Sequence, residues 1–187
     1  MCKPLVIAYH LIWTVYGTWL PNDPRGSGSH VVSSDTLKNL GEVHHGRKPI
    51  QPAGQEIRDF YDQATPRLKH DVVRLTPEMI DVVGGALAES IAEANYTCWA
   101  CAVMPDHLHV VMRKHRDRAE DMIENLKDAA REALSRKRLL PEGHPLWSGG
   151  GGWKVFLEHP DEVRRTIGYV ERDPKRPQRW SYVTAYN

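Results

Sequence analysis

Residues 97–113 read TCWACAVMPDHLHVVMR, and this stretch decides the fold. Two apolar runs, TCWACAVM and HLHVVMR, flank Pro105 and Asp106, a pair that interrupts regular structure. The pattern therefore predicts two adjacent strands joined by a tight connection. Side chains alternate along a strand, so His107 and His109 fall side by side on one face while Leu108 points the other way into the core. Two imidazoles so placed can meet one ion. Standing alone, an HxH this short reads first as a pair of surface histidines. The first run also holds a CxxC, Cys98 and Cys101. Residues three apart on a regular strand point to opposite faces, which keeps the two thiols from sharing a ligand and leaves them as packing residues. With Cys2 they make three cysteines, too few and too scattered for a disulfide framework.

Upstream of the hairpin, Thr76 with Pro77 and Glu78 marks a helix start: a hydroxyl cap, a proline at the first helical position and an acid at the positive end of the dipole. Ile80, Val83, Leu87, Ile91 and Ala94 then recur at spacings of three and four, giving a helix over about 77–95 with one buried stripe. Gly84 and Gly85 within it suggest a close approach to another element. Further back, AYHLIWTVYGTWL is rich in β-branched and aromatic residues and predicts the first strand. Between the two, about 21–70, the composition turns to Pro, Gly, Ser, His and charge, with a helix-like stretch only around GQEIRDFYDQ. A connection of that length is uncommon within a domain and reads as an insertion that is either functional or partly disordered. His44 and His45 inside it lack neighbours to complete a metal site and are expected to be solvated.

Downstream, Met122, Ile123, Leu126, Ala130, Ala133 and Leu134 form the apolar face of a second helix, about 118–137. PEGHPLW, four glycines at 149–152 and the short strand WKVFL follow. Trp147 and Trp153 are expected to anchor the glycines as a flexible connection into the third helix, about 160–173. The resulting order is strand, insertion, helix, strand, strand, helix, strand, helix. Apart from the insertion and the last helix, this is the βαββαβ order of an α+β ferredoxin-like domain, one antiparallel sheet with helices packed on one face. The whole chain, 1–187, reads as a single domain.

In the third helix Tyr169 and Asp173 lie four apart and share a face, while Val163, Ile167 and Val170 make the packing stripe. Pro174 disfavours the helical conformation at Asp173, so the helix ends there and the carboxylate projects past its last turn. A carboxylate beside two imidazoles would suit a divalent cation such as Mg²⁺ or Mn²⁺. Arg164, Arg165, Arg172, Lys175, Arg176 and Arg179 form a basic run around Tyr169, suited to phosphate contact, with Trp180 and Tyr182 as candidate stacking partners for bases.

MPDHLHVV closely resembles the MPNHxH segment of the HUH single-tyrosine transposases, above all the REP-associated tyrosine transposases and related insertion-sequence enzymes. TIGYVERDPKR is similar to that family's helix, in which a tyrosine is followed four residues later by a polar ligand, usually Asn or Gln. The resemblance runs from the AYHLIWTVYG strand to DPKRPQRWSY. It implies His107 and His109 as metal ligands, Asp173 as the third and Tyr169 as the nucleophile. It also implies single-stranded or hairpin DNA as the substrate, and a 5′-phosphotyrosine intermediate through which the strand is nicked and rejoined. Two features depart from the pattern: Asp stands at 173 in place of the usual amide, and the 21–70 insertion has no counterpart in the shortest members. A phenol is a weak nucleophile at neutral pH, so the reaction needs the phosphate activated and held in line. Two other readings stay open: a domesticated relative that binds hairpin DNA without transposing, and a metal-dependent nuclease in which water attacks.

Composition narrows little. Lys plus Arg number 25 against 24 Asp plus Glu, so any DNA contact must come from local patches rather than net charge. No apolar run reaches the roughly 20 residues that span a bilayer, and the first residues lack the pattern of a signal peptide, so a cytoplasmic protein without a membrane partner is expected. The sequence leaves monomer and homodimer equally open.

Overall fold

The hairpin forms as its sequence dictates. In a computed structural model that describes residues 5–32, 34–172, 180–182, 184 and 186, β2 (Cys98–Val103) and β3 (His107–Arg113) pair antiparallel across the Pro105-Asp106 turn. β1 (Ala8–Thr14) pairs with the other side of β3, and β4 (Trp153–Leu157) pairs with β1. β5 (Trp180–Tyr182) adds to the free side of β2, giving an antiparallel sheet in the order β4-β1-β3-β2-β5. The first four positions reproduce the ferredoxin-like arrangement. The fifth strand was not expected. Its three residues are too short for alternation to register, and Tyr182, a candidate stacking residue for bases, packs instead against the larger core.

A bulge in β2 corrects one expectation. The pairing steps from Cys98 opposite Met112 to Ala100 opposite Val111, so Trp99 is an extra residue and the alternation slips by one. Cys98 and Cys101 therefore face the same core rather than opposite sides. Both are buried and unbridged, and burial pushes the Cys98 thiol up to about 12 and that of Cys101 well above its ordinary range. They are packing residues, but for reasons of burial rather than opposed direction.

Four helices complete the chain among the described residues: α1 (Gly54–Ala64), α2 (Pro77–Glu93), α3 (Ala119–Arg136) and α4 (Pro160–Glu171). The Thr76 side chain caps α2 by accepting from the Met79 backbone N–H at 3.3 Å. α2 and α3 cover one face of the sheet. Val83, Leu87, Met122, Ile123 and Leu126 meet Leu11, Leu108 and Val110 there in the larger core. α4 lies on the opposite face. It lays Val163 and Val170 over Ala8, Ala100, Ala102 and Val111, small side chains that let a helix sit close to the strands. No helix among the described residues is long and apolar enough to cross a membrane.

The insertion carries its own small core of Leu20, Leu37, Phe60 and Ala64. Buried Asp23 holds it together. The Arg25 guanidinium meets the Asp23 carboxylate through two bonds of 2.8 and 2.6 Å, and the Tyr61 hydroxyl lies 2.6 Å from the same carboxylate. Burial and the neighbouring Asp23 charge drive the Tyr61 phenol far above its ordinary range, so it stays protonated. Arg25 also lies 3.9 Å over the Trp19 ring.

Candidate active site

The face under α4 collects the histidines. The register sets Thr14 opposite His107, Ile12 opposite His109 and His10 opposite Val111, so His10, His107 and His109 project from the same side of two neighbouring strands. The rings of His107 and His109 lie 4.8 Å apart at 84°. Each has its Nδ1 engaged. That of His107 lies 2.7 Å from Asp106 Oδ1 in the hairpin turn, and that of His109 lies 2.9 Å from His10 Nε2. His10 is 8% exposed, and burial pulls its imidazole down to about 4, so it is neutral near pH 7. A single proton then lies between the two nitrogens, and the contact fixes how His109 is turned.

α4 brings the tyrosine to this face. Its N-terminus is fixed by a capping box, in which the Glu162 carboxylate accepts the backbone N–H groups of Glu158 at 2.9 Å and His159 at 3.2 Å, with Pro160 in the first turn. Those bonds hold the Glu162 carboxyl below its usual range. With Val163, Gly168 and Val170 buried against the sheet, the helical turn leaves Tyr169 65% exposed on the flank. Its ring stands edge-on to His109, with centroids 5.6 Å apart at 85°, and 6.3 Å from His10 at 69°. His10, Ile12, His109, Arg165, Thr166 and Tyr169 line one open cleft.

Solved structures that resemble this one include two described as transposases. A REP-associated tyrosine transposase bound to a REP hairpin aligns over 94% of this chain and 71% of its own, at 9% identity and a TM-score of 0.45. A Deinococcus radiodurans R1 protein assigned as a transposase aligns over 91% of this chain and 92% of its own, at 17% identity and a TM-score of 0.42. No protein-family model and no curated protein matches the chain.

The other expected residues divide. Arg165 lines the cleft. Arg164 is engaged by Asp161 at 2.9 Å and lies 5.7 Å from the Tyr186 ring. The Arg172 side chain folds back along α4, so that a Cβ on Gly168 would come within 2.5 Å of its guanidinium. Asp173, Lys175, Arg176 and Arg179 lie outside the described residues.

For a cation, the donor chemistry present is suitable as far as it extends. No three His, Cys, Asp or Glu side chains are grouped as a metal site among the described residues. His107 and His109 offer two imidazoles on one face, each with Nδ1 held by an outer partner, the arrangement that fixes which ring nitrogen is presented to a metal. His10 is the residue that sequence reading missed. A lone histidine in an apolar strand carries no pattern of its own, and only the β1–β3 register shows that it shares a face with His109.

Proposed function

We propose that this protein is a metal-dependent nicking and joining enzyme for single-stranded or hairpin DNA, with Tyr169 as its nucleophile. The observation that carries the reading is the placement of an exposed tyrosine edge-on to His109, at a cleft on the sheet face that also bears His107. The sequence resemblance of MPDHLHVV and TIGYVERDPKR gives that geometry its chemical sense. The fold alone would not, since one fold hosts many reactions.

A divalent cation would be held by His107 and His109, with Asp173 as the third ligand. When bound, it supplies a Lewis acid for a non-bridging oxygen of the scissile phosphate. The chain's own residues do the rest. Asp106 and His10 set the orientation of the two imidazoles. Arg165, at the cleft, is placed to neutralise a neighbouring phosphate. Tyr169 Oη forms a bond to phosphorus as the bond to the 3′ oxygen breaks. One proton leaves the phenol and one reaches the departing oxygen. The 5′ end is then held as a phosphotyrosine ester and the other strand end carries a 3′-OH. Attack by a 3′-OH reverses the step and reseals DNA without an external energy source, because the ester retains the energy of the broken bond.

The test is incubation of the full chain with labelled single-stranded hairpin DNA and Mn²⁺ or Mg²⁺, run on a denaturing gel. A slow band of protein joined to DNA is expected, absent with chelator, with His107→Ala and with Tyr169→Phe. Cleavage that persists in Tyr169→Phe without any joined band would assign the attack to water and refute the nucleophile.

A further inference from the structure

The insertion meets the sheet face that bears the candidate cleft through a row of rings. In the sheet register His109 on β3 stands opposite Ile12 on β1, and Ile12 stands opposite Trp153 on β4, so the three share one face. Ile12 lines the cleft. Trp153, 39% exposed at the sheet edge, meets the His45 ring at 5.6 Å and 30°, and His45 stacks on His30 at 3.8 Å and 12°. Indole and two imidazoles thus lead outward from the cleft with similarly tilted planes, and all three residues are exposed.

The main chain, rather than burial, holds this ladder in shape. Ser27 and His45 form a parallel bridge, with Ser27 N–H donating to His44 O at 2.8 Å and Gly46 N–H donating to Ser27 O at 2.7 Å. Gly26 makes the approach possible. Its φ is +94°, and a Cβ there would come within 1.9 Å of the Gly46 carbonyl. Trp19 Nε1 donates to Gly26 O at 2.7 Å and ties the same loop to the turn that follows β1. Gly28 passes over the Trp153 ring, where a Cβ would stand at 3.4 Å. A solvated loop has no need of such construction to present histidines.

We propose that Trp153, His45 and His30, stacked on one another with His45 in the middle, form a platform whose open end at His30 and exposed ring edges receive the unpaired bases of a strand that continues out of the Tyr169 cleft, and that the insertion builds it. The proposal rests on the DNA reading above and adds to it the part of the substrate bound beyond the reacting phosphate. Ring faces stack on any base, but only when that base is unpaired, because in a duplex its faces are already covered. Arg47 and Lys48 directly follow the His44-His45-Gly46 turn and provide cations for the backbone of such a strand.

The experiment compares two labelled probes by fluorescence anisotropy on the full chain: a hairpin with a single-stranded extension, and the same molecule with abasic residues throughout that extension. The phosphates are equal, so only base contacts differ. Stacking is worth about 1–3 kcal/mol per base, so wild type should bind the base-bearing probe at least about tenfold more tightly. His45→Ala with Trp153→Leu should bring that ratio below about threefold, and His30→Ala, in an irregular loop, should lower it with little demand on folding. His45→Phe should keep the ratio. Equal binding of the two probes by wild type, or an unchanged ratio in the double variant, would overturn the platform. A ratio that depends on these rings in a protein that forms no adduct would retain the platform and remove the tyrosine chemistry, so the two ideas fail separately.

Discussion

At the residue scale, the site depends on side chains of ordinary type in unusual company. Tyr169 is exposed because Val163, Gly168 and Val170 take the buried side of α4, so its ring contributes little to the core. Tyr169→Phe should therefore change stability by no more than about 0.5 kcal/mol in a thermal melt while removing the adduct. His10 differs, being nearly enclosed and joined to His109 by a 2.9 Å contact. Partners that orient a metal-binding histidine typically matter by about 10–100-fold, so His10→Ala should slow single-turnover adduct formation by that order. Wild-type kinetics in His10→Ala would mean that His109 needs no such support. His107, His109 and Tyr169 were legible from two short motifs. His10 was not, since its meaning lies in the β1–β3 register, which no local window contains.

The elements were legible where their own periodicity and caps declare them. Thr76-Pro77-Glu78 and the three-and-four spacing placed α2 within two residues of its observed end at Glu93, and the apolar stripes placed α3 and α4 as closely. Long-range pairings were not legible. The bulge at Cys98/Ala100, which turns both cysteines to one face, depends on how β3 meets β2. The two glycines of α2 also differ from expectation. Gly84 is buried, but a Cβ on Gly85 would meet nothing within 4 Å. Gly85→Ala should therefore stabilise the protein by about 0.5–1 kcal/mol through the unfolded chain and helix propensity, seen as a raised denaturation midpoint. Gly152 predicts the opposite. It has φ +68° and its Cβ would stand 2.8 Å from the Ile12 carbonyl, beside the cleft row. Gly152→Ala should cost about 1–3 kcal/mol by the same assay, and a neutral result would show that the start of β4 can yield.

Across the whole molecule, the sheet separates the larger core from the candidate site. The larger core lies with α2 and α3 on one face, while the histidines, the tyrosine and the ring ladder occupy the other. Such a division lets the cleft stay open without exposing the main core. It also predicts how metal should act. Binding to the native state alone adds about 2.7 kcal/mol at a hundredfold excess over the dissociation constant, so Mn²⁺ should raise the melting temperature of wild type and leave that of His107→Ala unmoved. Chelated protein should remain folded. The central claim, attack by Tyr169 on DNA, is tested most directly by mass spectrometry of the joined species after nuclease and trypsin digestion. The account predicts a residual nucleotide phosphate on the peptide Thr166–Arg172, TIGYVER, localised to Tyr169. A nucleotide carried on any other residue, such as Tyr182, would contradict it.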